Sequence, residues 1–157
     1  MTRVKTCLWF DGAAEQAARF YTSVIRDSHL GSIGYHSPDG AGVPARVLTV
    51  DFRLGTQEFV ALNGGAQFPF TEAASIQVYC ENQAEVDAVW TALTEGGQEG
   101  ACGWLKDRYG LSWQVIPAGL PVLLSDPDPR RAQRATAAML TMGRLDLAAI
   151  AAAAASP

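Results

Sequence analysis

The chain alternates between runs of apolar residues at strand spacing and runs at helical spacing, and it passes through that succession twice. Arg3 to Phe10 reads as a strand, with Val4, Cys7, Leu8, Trp9 and Phe10 apolar or bulky, and Asp11-Gly12 ends it. Asp11 stands where it can cap a helix over Ala13 to Val24. The stripe Ala14, Ala17, Ala18 and Tyr21 lets that helix lie close on a sheet. Ser28 to Tyr35 is a second, glycine-interrupted strand, followed by a turn-rich loop from His36 to Pro44. Arg46 to Leu54 and Gln57 to Asn63 pair across the tight turn Gly55-Thr56, and Gly64 to Phe70 is a linker.

The order then begins again. Ala74 to Cys80 is a strand. Asn82 to Thr94 is a helix, with Val86, Val89, Trp90 and Leu93 on one face and Gly96-Gly97 to end it. Gly103 to Arg108 and Leu111 to Ile116 are strands joined at Tyr109-Gly110. Laying Trp9-Phe10 over Tyr79-Cys80 brings Asp11 onto Glu81, Ala14-Glu15 onto Ala84-Glu85 and Phe20 onto Trp90. A smaller offset brings Gly55 onto Gly110. The expected fold class is α+β: tandem βαβββ modules form curved mixed sheets around a pocket and carry a C-terminal helical tail. The domain spans 1–120, with halves 1–66 and 72–118, and the tail spans 121–157. In the tail, Asp126-Pro127-Asp128-Pro129 starts a helix over Arg130 to Met142. Gly143 breaks it, and Leu145 to Ala155 is a second short helix. Helices this short must pack on something, either the domain or a partner subunit.

Composition narrows the function classes. Twelve Lys+Arg against sixteen Asp+Glu leave a net charge of −4, and without a concentrated basic face no nucleic-acid partner is expected. No apolar run reaches the roughly 18–20 residues of a membrane span, so no membrane partner is expected either. Cys7, Cys80 and Cys102 are odd in number and lack metal-type spacing, which reads as reduced thiols in a cytoplasmic protein.

Several residues could carry chemistry. Cys102 lies in a glycine-rich stretch upstream of Lys106 and Arg108, whose charge would favour the thiolate; the competing reading is an inert buried thiol. Cys7 and Cys80 read as core. Asp51 and Glu58 interrupt apolar strands. If one points inward, burial raises its pKa and makes it a general acid or base; alternatively Asp51 and Arg53 form a solvated pair. Lys106 and Asp107 alternate across a strand, and their plainest reading is a solvent-facing pair at a hairpin end. Trp9, Tyr79, Trp104 and Trp113 would stack on a flat ligand or simply fill the core. Asn63, before Gly64-Gly65, ends a strand with uncovered amides, and Gln77 sits between Ser75 and Tyr79 on the fifth strand.

The stretches LWFDG at 8–12, AARFY at 17–21, ALNGG at 61–65, QAEVD at 83–87 with Trp90, and CGWLKDRYGLSWQVIP at 102–117 together cover most of the chain, and AMLTM at 138–142 with Leu145-Asp146 extends the match. With these motifs the chain resembles the vicinal oxygen chelate (glyoxalase/bleomycin-resistance/dioxygenase) superfamily. Within it, the PhnB-like branch, often labelled 3-demethylubiquinone-9 3-methyltransferase, is the most similar. The resemblance implies paired βαβββ modules, often a dimer, and in the enzymes a divalent metal held by His, Glu or Gln on facing strands, acting as a Lewis acid. The matching positions here fall near Thr6 and Ser75 and at Gln114. Only Gln114 resembles a ligand, so neither metal nor cofactor is expected. The readings are therefore a small-molecule binder using Trp9, Asn63, Ser75, Gln77, Tyr79, Trp104 and Gln114, or an enzyme using a metal, Cys102, Asp51 or Glu58. The third is the labelled methyltransferase, against which stands the lack of a strand–GxGxxG–helix segment.

Overall fold

The computed structural model describes residues 2–36 and 45–156; apart from His36, the turn-rich loop lies outside them. The chain divides into two compact units, Met1–Phe70 and Thr71–Pro157. The first runs β1 (Thr6–Phe10), α1 (Ala14–Val24), β2 (His29–Tyr35), β3 (Val47–Leu54) and β4 (Gln57–Asn63). The second runs β5 (Ser75–Cys80), α2 (Gln83–Thr94), β6 (Gln98–Glu99), β7 (Trp104–Lys106) and β8 (Ser112–Pro117), then three helices, α3 (Leu120–Leu124), α4 (Pro129–Leu140) and α5 (Leu147–Ala155).

Each unit holds one four-stranded mixed sheet, ordered β1-β4-β3-β2 and β5-β8-β7-β6. The orders are the same four positions along the chain. In both, the first strand pairs parallel with the last, and the remaining ladders are antiparallel. Two unrelated βα units would not share a strand order and a single parallel pair, so the tandem βαβββ expectation holds for each half.

In the first unit α1 lies on β3 and β4 through the small, fully buried Ala14, Ala17 and Ala18. Tyr21, also fully buried, reaches Phe52, which stacks on Phe59 with ring centroids 5.0 Å apart. The helix start differs from expectation. Its N-cap is Ala13, which lends no side chain, and Asp11 plays no part. The Asn63 Oδ1 at the end of β4 accepts from the Ala14 N–H instead, at 2.9 Å. The parallel partner strand β4 delivers the acceptor from across the sheet.

In the second unit α2 covers the face bearing Leu105, Trp113 and Val115, and Asn82, read in the sequence as its first residue, stands as its N-cap. Asn82 Oδ1 accepts from Glu85 N–H, while the Glu85 carboxylate takes the Glu81 N–H. The tail belongs to this unit. Ile116, Leu120, Ala135, Leu145, Ile150 and Ala154 form a buried cluster. The Gln83 side chain bonds the Leu145 carbonyl and the Leu147 N–H, while Cys102 and Gly103 donate to Met142 and Gly143 carbonyls. Asp128 caps α4 with Pro129 in its first turn, as the DPDP pattern implies, and α3 is a short helix that the sequence pattern did not mark. Among the described residues no helix is long and apolar enough to cross a membrane.

Candidate functional site

Strand parity splits the second sheet into a helix-covered face and an open one. The open face carries Ser75, Gln77 and Tyr79 on β5, Ser112 and Gln114 on β8, and Trp104 and Lys106 on β7. In register, Gln114 lies between Gln77 and Trp104, and Ser112 between Ser75 and Lys106. Four of the residues singled out in the sequence are joined in one hydrogen-bonded row. Tyr79 OH donates to Gln77 Oε1 at 3.2 Å, Gln77 Nε2 to Gln114 Oε1 at 3.2 Å, and Gln114 Nε2 to Ser75 Oγ at 2.8 Å. A hydroxyl at each end of two amides lets the whole row reverse its donors and acceptors together, so it can meet either kind of ligand group. Tyr79 is 54% exposed, so the row faces outward rather than into the core. Beside it Glu72, Gln98, Glu99, Trp104, Lys106 and Ser112 line a cavity of about 210 Å³.

The helix-covered face holds a carboxylate that the sequence reading placed in solvent. Asp107 is 3% exposed. Its Oδ1 accepts from the Tyr109 and Leu111 N–H groups at 2.8 and 3.1 Å, and its Oδ2 from Trp113 Nε1 at 2.8 Å. It therefore organises the β7–β8 turn and anchors Trp113, which is fully buried and belongs to the core, not to a ligand wall. Lys106 is not its partner but that of Glu72.

In the first unit the open face is built of ion pairs. Lys5 Nζ donates to Asp51 Oδ1 at 2.5 Å, and Ser32 Oγ donates to its other oxygen at 2.9 Å; Arg3 pairs with Glu58. The expected Asp51–Arg53 pair is replaced by these. The raised carboxyl pKa is also corrected. The Lys5 ammonium holds Asp51 below its ordinary value, the Arg3 guanidinium does the same for Glu58, and neither is buried enough for desolvation to prevail. A lowered folded-state value stabilises the fold above the unfolded pKa, and that contribution disappears as pH falls through the folded value. Asp51→Asn should therefore cost at most about 1 kcal/mol at pH 7, because solvent screens a partly exposed pair. Urea unfolding of mutant and wild type should converge once the pH is well below the ordinary carboxyl value of 3.8.

Other candidates fall elsewhere. Trp9 donates Nε1–H to the Gly65 carbonyl at 2.8 Å and meets Phe68 edge-on. Its ring lies so close to the turn that a Cβ on Gly64 would stand 2.1 Å from it, so this position requires glycine. Asn63 spends both ends of its amide on structure, Oδ1 on Ala14 and Nδ2 on the Val47 carbonyl. It also lines a 440 Å³ cavity with Glu15, His36 and Arg46. Cys102 is half-buried in a turn with a left-handed φ of 57°, and the cations that were to activate it are engaged, Lys106 by Glu72 and Arg108 by Glu95. Cys80 is core, as expected, but Cys7 is exposed. The overlay itself explains this: with Trp9 on Tyr79, Cys80 falls on buried Phe10 and Cys7 on exposed Gln77.

The donors do not suit a catalytic metal. The same overlay puts Lys5, not Thr6, on Ser75, and a one-residue slip flips a strand position to the other face. Thr6 shares the face of Leu8 and Phe10, and its hydroxyl accepts from Gln57 at 3.4 Å. Ser75 and Gln114 are bonded to one another. Hydroxyls, an ammonium and one amide are a poor set for a divalent transition ion, and the described residues contain no group of three His, Cys, Asp or Glu that could replace them. Sequence reasoning missed Ser112 and Glu72. Ser112 was findable, two residues before Gln114 on the same face.

The family model described as 3-demethylubiquinone-9 3-methyltransferase matches residues 2–116. A PhnB protein from Bacillus cereus, described as a 3-demethylubiquinone-9 3-methyltransferase, is 35% identical, with 74% of this chain and 100% of that one covered and a TM-score of 0.67. Protein PA1353 from Pseudomonas aeruginosa is 21% identical over 74% of this chain and 98% of that one, with a TM-score of 0.61. A glyoxylase/bleomycin resistance protein/dioxygenase domain from Frankia sp. EAN1pec is 15% identical over 74% and 92%, with a TM-score of 0.48. No curated protein matches.

Proposed function

We propose a function from the premise that this chain belongs to the 3-demethylubiquinone-9 3-methyltransferase (PhnB-like) family: it binds a small molecule on the open face of its second sheet without a catalytic metal. The observation that carries the reading is the row Tyr79–Gln77–Gln114–Ser75. A folded protein gains little by displaying two interlocked amides and a tyrosine hydroxyl on an exposed sheet, whereas a ligand gains a pre-set rank of donors and acceptors. Trp104, beside Gln114 in register, adds an aromatic flank.

The activity in the family's name has no support from these residues. Methyl transfer from a nucleoside cofactor on a βαβ fold calls for a glycine-rich loop between a strand and a helix. The β1–α1 turn offers Gly12 alone, and the β5–α2 turn offers no glycine.

A thermal-shift screen of a metabolite library that includes S-adenosylmethionine, run in parallel on the wild type and Gln114→Leu, tests the reading. Binding to the native state raises the melting temperature. The reading expects hits whose shifts vanish in the variant and persist in the presence of a chelator. Hits that survive Gln114→Leu, that need a divalent metal, or that are confined to S-adenosylmethionine would overturn it.

A further inference from the structure

Ser112 has the property least expected of a structural serine. It is 1% exposed, and its Oγ has no hydrogen-bond partner. A buried hydroxyl left unmatched is costly, and in native proteins it usually marks a missing partner. Its surroundings indicate what that partner would be. In register, Ser112 sits between Ser75 and Lys106. In the row as it stands, Ser75 Oγ receives the Gln114 N–H, which leaves its own proton free to be donated. Lys106 is an ammonium with donors only. Two hydroxyls and a cation side by side present protons to an oxygen-bearing anion.

One carboxylate is already there. Glu72, in the segment leading into β5, lines the same cavity and pairs with Lys106, yet its side chain is 62% exposed. The other acid at the cavity, Glu99, is taken up by Trp90 Nε1 at 3.2 Å. We propose that Glu72 holds the place of a ligand's carboxylate, and that the site accepts a small flat acid whose carboxylate displaces Glu72 to accept from Lys106 Nζ and Ser112 Oγ while its ring lies along Trp104. This deepens the reading given above and rests on it. It names the ligand class for the same sheet face and makes Glu72 an internal competitor.

Calorimetry with 2-naphthoate and 2-naphthamide on the wild type, Glu72→Gln, Ser112→Ala and Lys106→Met tests it. The acid should bind the wild type and the amide should not. Removing the competing carboxylate should tighten naphthoate about fivefold, the scale of one exposed ion pair. Ser112→Ala should weaken it severalfold and Lys106→Met should abolish it; melting temperatures identify a variant that fails to fold, and Glu72→Gln then decides alone. Equal binding of acid and amide, or an unchanged or weaker affinity in Glu72→Gln, would overturn the proposal. So would an absence of naphthoate binding in wild type and Glu72→Gln. If library hits are still lost in Gln114→Leu, the fault then lies with the carboxylate assignment and not with the binding face.

Discussion

Replacing Asp107 with Ala should cost about 3–5 kcal/mol, the largest loss expected of any single polar substitution in the second unit. The carboxylate accepts from two backbone N–H groups of its own turn and from the Trp113 indole. Its removal strands the Leu111 amide and the indole N–H where water does not reach, since Leu111 and Trp113 are 3% and 0% exposed. Hydrogen bonds to a charged acceptor contribute about 1.5–3 kcal/mol each, but the three share one carboxylate and are not additive. Asp107→Asn keeps one acceptor oxygen and turns an NH2 toward a donor, so it should fall between wild type and Ala. Urea denaturation of the three proteins gives the order directly. An Ala variant within 1 kcal/mol of the wild type would mean that the turn does not depend on this residue.

Leu145→Ala should destabilise the second unit by about 2–5 kcal/mol, the usual range for emptying a buried leucine site. Leu145 is 1% exposed and lies in the cluster that joins Ile116 of β8 to the tail helices. It also stands close to Gly103, where a Cβ would come within 3.0 Å of it. Residues 2–116 carry the family match, so this substitution lies outside the matched stretch and yet should loosen strands within it. Native-state hydrogen exchange should show amides of α2 and β8 losing protection together with those of α4 and α5. Loss confined to α4 and α5 would instead make the tail an independently melting appendage.

What was legible in the sequence is what local pattern determines. Both repeat helices announced themselves through stripes of small or aliphatic residues. The hairpins were set by Gly55 and Gly110, both at left-handed φ. The repeat overlay carried the topology, since a shared order of elements leads to a shared strand order. What escaped was set by partners far along the chain. Nothing near Ala13 says that the cap comes from Asn63, and nothing near Asp51 says that Lys5 will reach it. Asp107 departs from the solvent-facing expectation because its parity, not its charge, sets its face. Two residues from Leu105 and six from Trp113, it falls on the buried face, where a charge persists only if its bonds are met. Among the candidate residues, Ser75, Gln77, Tyr79 and Gln114 share one sheet face because alternation along β5 and its register with β8 place them there. Asn63 and Trp9 hold backbone in the first unit, through bonds to Val47 and Gly65 that no local pattern marks.

The amide row on the second sheet is the proposed binding face. Its most direct test is a titration of 15N-labelled protein with a hit from the library screen, following the side-chain NH2 resonances of Gln77 and Gln114. Both should move, saturably and with the same midpoint, because the two amides are bonded to one another and share the ligand. Side-chain resonances that stay fixed while backbone signals elsewhere in the chain titrate would contradict the claim.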